Sequence, residues 1–271
     1  MVGRPLAPLV TSRPLALVTG ATSGIGREFA VDYARRGHDL VLVARRRDVL
    51  ESTAKELTER FGVGCAVCVA DLSSIDGVEA MLRHESLVRT PDVMVANAGV
   101  TLAARVGTSS SETIEDVVTL LATGAILVIE RLAPAMAERG SGDIIVVSSI
   151  AAKIPMPKSA VYAAAKAAVT SYARSVHREL RDSGVRVVAV NPGYVHTDLH
   201  RAAGLEHLER VVPAWLWLEP IDVVKAAHRA LERGRDSVTP GFIYRLSQPF
   251  LSSDAAQKLW RRVVRPGRIR K

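Results

Sequence analysis

Leu15-Ala-Leu-Val-Thr19, followed at once by Gly20-Ala-Thr-Ser-Gly24-Ile-Gly26, decides how this chain folds. The first five residues are an apolar run of strand length. The run ends in three glycines, and residues 27–35 then carry apolar side chains at helical spacing, closed by Arg35, Arg36 and Gly37. Strand, glycine turn and helix open a βαβ unit. Gly20 permits the tight turn, Gly24 lets the backbone approach a pyrophosphate, and Gly26 lets the helix pack close to the sheet. The helix N-terminus then faces the phosphates. The spacing is G-x-x-x-G-x-G rather than the commoner G-x-G-x-x-G.

The same alternation continues. Strands are expected at residues 39–44, 64–70, 92–96, 144–149 and 185–190, with helices at 49–61, 111–138 and 159–182. Pro134 lies near the end of the long helix and can kink it. This predicts an α/β fold: a Rossmann-like doubly wound parallel sheet of about seven strands, helices on both faces, and a crevice at the strand C-termini. Beyond residue 198 the pattern loosens. A helix is expected at 220–234, a last strand at 238–246 and an amphipathic end helix at 252–264. Residues 1–13 read as a flexible lead-in, 14–250 as one domain with its substrate region near 194–220, and 251–271 as a helix and basic tail.

The chemistry-bearing residues fall just past the strand ends. Ser149 closes the fifth strand, and Tyr162 and Lys166 stand four apart, on one face of a helix. A cation beside a phenol favours phenolate and lowers the Tyr pKa from its usual ~10, and a Ser hydroxyl can hold a substrate oxygen. Together they can exchange a proton with an alcohol/carbonyl pair. Where an acidic residue would bind the ribose 2′-hydroxyl of NAD, the second strand ends in Ala44, followed by Arg45, Arg46 and Arg47. That removes a repelling carboxylate and supplies cations for a 2′-phosphate, favouring NADP(H) over NAD(H), with Arg45 the best single candidate. Asp71 is open between accepting from an adenine amino group and capping the next helix. Asn97-Ala98-Gly99 lets a cofactor ring pass close to the backbone, and Asn97 can brace its strand end.

Net charge is +8 and hydrophobic residues make up 48% of 271, enough for one substantial core. No apolar run approaches twenty residues, so no spanning helix is expected. The basic residues Arg261, Arg262, Arg265, Arg268, Arg270 and Lys271 form either a solvated end or a contact for an anionic surface. Few aromatics and no recognition motif argue against nucleic acid. Cys65 and Cys68, three apart on a strand, point to opposite faces and are expected to be buried core thiols in a reducing cytoplasm. His196, His200 and His207 lack metal spacing. Trp215 and Trp217 are either the wall of an apolar pocket or a seam under a loop.

These residues together resemble the classical short-chain dehydrogenase/reductases over about residues 14–245. The likeness rests on Thr19-Gly20-x-x-x-Gly24-Ile25-Gly26, Asn97-Ala98-Gly99, Ser149 with Tyr162-x-x-x-Lys166, and Pro192-Gly193 with Thr197. The Arg45 region looks like that of NADP-preferring members. The resemblance implies that Ser149 and Tyr162 bond a substrate carbonyl and that Tyr162 delivers the proton as hydride arrives from the nicotinamide. It implies that Lys166 also bonds the nicotinamide ribose, that residues 192–197 (Pro192, Gly193, Val195 and Thr197 among them) hold the nicotinamide, and that Thr22, Ser23, Ile25 and Leu72 add cofactor contacts. It further implies a homodimer or homotetramer built on the 112–138 and 159–182 helices. Three positions depart from the family pattern: Leu121 for an Asn that helps link the Lys to solvent, Ala96 for Asn, and Ala165 for Ser. Two functions follow as alternatives: a reductase of carbonyl groups on an apolar molecule, or a nucleotide-binding regulatory protein with little turnover.

Overall fold

A computed structural model describes residue 9, residues 12–199 and residues 204–251. Seven parallel strands form one sheet in the order β3-β2-β1-β4-β5-β6-β7. They are β1 (Leu15–Thr19), β2 (Asp39–Ala44), β3 (Cys65–Val69), β4 (Val93–Ala96), β5 (Gly142–Val147), β6 (Val185–Val190) and β7 (Ser237–Val238). The central strands are buried on both faces, which is why they read as unbroken apolar runs. The helices are α1 (Gly24–Arg35), α2 (Arg47–Phe61), α3 (Ile75–Leu82), α4 (Ser111–Val118), α5 (Gly124–Arg139), α6 (Ala160–Glu179), the short α7 (Leu208–Val211), α8 (Pro220–Glu232) and α9 (Phe242–Leu251).

Alternate strand residues supply two cores. Leu15, Leu17, Met94 and Ile144 pack with α3, α4, α5 and α6. Ala16, Val18, Val95 and Ile145 pack with α1, α2 and α8. The pleat also divides the cysteines: Cys68 belongs to the first core and Cys65 to the second. Both are free, and burial pushes each thiol up to about 11.

Three expectations need correction. The last strand stops at Val238; Pro240 and Gly241 (φ +85°) break it, and helix α9 begins at Phe242. The long helix is two, α4 and α5, joined by a π-turn at Thr119–Thr123, while Pro134 sits inside α5 without ending it. The stretch Ser111–Arg139 is in fact long and apolar enough to cross a membrane, with mean hydropathy 1.7. Its apolar residues Leu121, Val128, Ile129 and Met136 are nevertheless buried in the core. Just before β1, Arg13 donates to the Gly62 carbonyl (2.6 Å) and lies 3.6 Å from Asp39. The expected helix at 252–264 and His200 lie outside the described residues.

Strand order reverses about β1, whose neighbours are β2 and β4. Connections leave this point in opposite directions and open a crevice beyond the strand C-termini. The Thr19 hydroxyl clasps its rim: it accepts from the Asn97 and Ala98 N–H groups (2.9 and 3.0 Å) and donates to the Val95 carbonyl at 3.2 Å. Asn97 Nδ2 returns bonds to the Thr19 and Gly20 carbonyls, so it braces the strand end as expected.

Candidate active site

A cleft of about 490 Å³ follows the crevice. At one end stand Thr22, Arg45, Arg46 and Asp71; at the other, Ser149, Tyr162, Lys166 and Pro192. Of the residues singled out in the sequence, Ser23, Gly24, Ile25, Leu72, Asn97, Ala98, Gly99, Gly193, Val195 and Thr197 also line it. Gly20 lines it too, at φ +67°, where an L side chain is strained. Gly26 does not. It serves the helix contact instead, and a Cβ there would lie 2.2 Å from the Gly20 carbonyl oxygen.

The arginine end holds one residue the sequence reading passed over. Arg46 reaches the Thr22 hydroxyl at 3.3 Å, while Arg45 lies 3.9 Å from Asp71. Asp71 accepts from the Ser73 N–H and hydroxyl, and Ser74 caps α3, so of the two roles left open for Asp71 the cap is excluded. Burial opposes the Asp71 charge, but the Ser73 bonds and Arg45 overcome it and hold its pKa below the usual carboxylate value.

At the other end, β5 runs out at Val147 and delivers two serines of different fate. Ser148 is buried and donates to the Lys166 carbonyl (2.9 Å). The Thr170 hydroxyl, one turn along α6, lies 2.7 Å from Ser148 Oγ and 3.1 Å from Asn191 Oδ1. This buried network fastens α6 to the ends of β5 and β6, and so fixes where Tyr162 and Lys166 stand. It was missed in the sequence, although Thr170 follows Lys166 by four and Asn191 ends β6 as Asn97 follows β4.

Ser149 caps a short 3₁₀ turn and accepts from the Ala151 N–H at 3.1 Å. Its bond to Tyr162 favours phenolate, yet burial outweighs it and the Tyr162 pKa lies above the usual value. The expected lowering by Lys166 is therefore not present in the protein alone. Lys166 Nζ instead donates to the Val147 carbonyl (2.9 Å), and desolvation pulls its pKa down to about 8. Leu121, in the π-turn, is 2% exposed; it and the Lys166 amine both crowd the Gly99 Cα, within 3.2 and 3.8 Å of where a Cβ would stand.

The depressed Lys166 pKa carries a stability consequence. Between about pH 8 and the unfolded value of 10.5, the unfolded chain binds a proton that the folded chain has released. This group's contribution therefore rises with pH across that window, by on the order of 3 kcal/mol. Urea titrations at pH 7.5 and 9.5 are expected to show about 2 kcal/mol of that gain in the native protein and its loss in Lys166→Met.

Gly193 has a role beyond the cleft. A Cβ there would fall 2.1 Å from the Tyr244 ring. Tyr244 is buried, donates to the Leu216 carbonyl (2.6 Å) and accepts from the Tyr194 N–H (3.1 Å). Backbone bonds from Leu218 to Tyr194 and from His196 to Leu218 complete the hold on this segment. Trp217 stacks on His196 and bonds the Val212 carbonyl, forming a seam, whereas Trp215 is 57% exposed.

A family model described as short chain dehydrogenase matches residues 14–207. The chain belongs to the short-chain dehydrogenases. This short-chain dehydrogenase is 31% identical over 190 residues to the very-long-chain 3-oxoacyl-CoA reductase of Anas platyrhynchos, covering 69% of this chain but only 61% of that protein. It is 28% identical over 247 residues to the inactive hydroxysteroid dehydrogenase-like protein 1 of Pongo abelii, covering 90% of this chain and 73% of that one. Among solved structures, a short-chain dehydrogenase from Sphingobium yanoikuyae in complex with NADPH matches with TM-score 0.78 and 29% identity, over 95% of this chain and 98% of that one. The family and these neighbours make this an oxidoreductase-family chain with a nucleotide-binding Rossmann-like fold.

Proposed function

We propose that this protein is an NADPH-dependent oxidoreductase that interconverts a carbonyl (ketone, aldehyde or 3-oxoacyl group) and an alcohol on a small apolar substrate. One observation carries the reading: a single cleft joins two arginines at one end to Ser149, Tyr162 and Lys166 at the other. The residues fit a dinucleotide. Gly24 stands at φ +53°, and a Cβ there would meet Thr197 at 2.6 Å, so the glycine keeps the turn close to the 192–197 segment, while the N-terminus of α1 would face the phosphates. Arg45, Arg46 and the Thr22 hydroxyl would take a 2′-phosphate, and the 192–197 segment the nicotinamide. When bound, the cofactor supplies the hydride.

The chain's own residues do the rest. Ser149 orients the carbonyl oxygen. Tyr162, kept protonated by burial, donates to that oxygen as negative charge develops. Lys166 holds the ribose side and, mostly charged below its pKa of about 8, stabilises the phenolate left behind. The NADPH-bound relative supports the cofactor assignment. The exposed small residues Ala164 and Ala168 on α6 support pairing of two copies as a homodimer or homotetramer. Two free buried thiols fit a cytoplasmic location.

Fluorescence titration tests the cofactor. NADPH is expected to bind at least about tenfold more tightly than NADH, roughly 1.4 kcal/mol. Arg45→Ala with Arg46→Ala should abolish that preference by weakening NADPH alone. Equal affinities in the native protein would remove the 2′-phosphate reading.

Leu121 favours a second reading, a nucleotide-binding regulatory protein with weak turnover; a relative named inactive keeps it in view. Leu121→Asn separates the two. In a working enzyme it changes kcat by less than about tenfold. A rise of more than about 10²-fold, from a native rate near zero over a carbonyl panel, would identify a degraded site.

A further inference from the structure

Helix α9 has two sides of opposite character. Tyr244 is turned into the molecule and tied to Leu216 and Tyr194. On the opposite arc, Phe242, Ile243 and Leu246 are exposed to 69%, 37% and 61%. Trp215, beside the anchored Leu216, is exposed as well. Single exposed apolar residues are ordinary, but three on one helix arc mark a contact surface.

The charge beside that arc is one-sided. Arg245 of α9, Arg229 and Arg233 of α8, and Arg235 line a small cavity of about 90 Å³ at the start of α9. Among the described residues, none of the four forms an ion pair with a carboxylate; Arg229 donates only to the Lys225 carbonyl. Several arginines elsewhere are paired, as Arg186 is with Asp143 at 2.6 Å. The chain as a whole carries +8, and the sequence after α9 is basic again from Arg261 to Lys271.

We propose that this face docks on an anionic phospholipid bilayer, with Phe242, Ile243 and Leu246 in the acyl boundary and the arginine cluster on lipid phosphates. Guanidinium groups match phosphate oxygens two bonds at a time, and an amphipathic helix flanked by arginine gains from both the apolar and the charged layer. A second copy of this chain is the poorer occupant, because a two-fold contact would bring the same uncompensated arginines together. The docking face backs onto the cleft through the Tyr244–Gly193 contact. An apolar substrate carried in the bilayer would then meet the site from the membrane side. That last step rests on the carbonyl-reductase reading; the docking does not.

Vesicle co-sedimentation of the full chain tests it without any activity readout. Binding is expected to vesicles of phosphatidylcholine mixed with phosphatidylglycerol, to weaken with salt, and to be absent with phosphatidylcholine alone. Arg233→Ala with Arg235→Ala should weaken partitioning about thirtyfold, and Phe242→Ser with Leu246→Ser at least about tenfold. NADPH titration of each variant verifies that the fold is intact. Three results would overturn the proposal: no binding to the anionic vesicles, binding by both variants equal to the native protein, or binding lost only when residues 252–271 are removed. A change confined to oligomeric state, with no vesicle binding, would overturn it in favour of a second copy.

Discussion

Tyr162→Phe is expected to lower turnover of a carbonyl substrate by about 10³-fold while leaving NADPH affinity within a few-fold. The variant keeps the ring and its packing and loses only the proton. In the folded protein Tyr162 is the acid best held for the task. Burial keeps it protonated, Ser149 steadies its oxygen, and the Ser148–Thr170–Asn191 network fixes the helix that carries it. General acid catalysis by a positioned group accounts for about 10²–10⁴-fold. Steady-state kinetics paired with fluorescence titration separate the two effects. Near-normal kcat in the variant would end the assignment of Tyr162 as proton donor.

The second large effect belongs to Gly26→Ala. Its Cβ would lie 2.2 Å from the Gly20 carbonyl oxygen and 2.4 Å from Asn97 Nδ2. Neither neighbour is free to yield, since Asn97 Nδ2 bonds the Thr19 and Gly20 carbonyls at the split of the sheet. Helix α1 must move outward, withdrawing its N-terminus from the phosphate position. The cost is expected to be about 3 kcal/mol or more in urea unfolding, with NADPH binding lost under conditions where the variant is still folded. Gly62→Ala is the control. Unlike Gly26, it adopts positive φ (+67°), and a Cβ there meets nothing, so it should cost about 1–2 kcal/mol and leave NADPH binding unchanged. A Gly26→Ala protein of native stability and affinity would show that the close contact is not required.

The sheet was legible because strands buried on both faces cannot hide. β1, β2 and β6 stand where their apolar runs begin and end. The candidate site was legible for a related reason: in a parallel sheet groups such as Arg45, Asn97 and Ser149 fall just past a strand end, and Tyr162 and Lys166 share one face of the helix that follows β5. What escaped depends on contacts distant in sequence. Phe242-Ile243-Tyr244 has the composition of a strand, yet it forms a helix because Tyr244 is tied to Leu216 and Tyr194. The Pro240-Gly241 pair was the available warning. The π-turn at Thr119–Thr123 leaves no mark on a helical period, because one extra residue per turn shifts the pattern without breaking it. Arg46 was passed over for Arg45 since nothing in a run of three arginines says which way each side chain turns. The direction of the Tyr162 shift was misjudged because spacing indicates who is near, not how much water has been removed.

The pleat that sends Cys65 and Cys68 to opposite sides of β3 gives the molecule two chemical clocks. Each thiol is sealed in a different layer, and with a pKa near 11 neither reacts until its own layer opens. With one cysteine removed at a time, the alkylation rate of the other reports when one side of the sheet parts from its helices. The two rates together tell whether the α1–α2–α8 side and the α3–α6 side come away as one cooperative unit or as two.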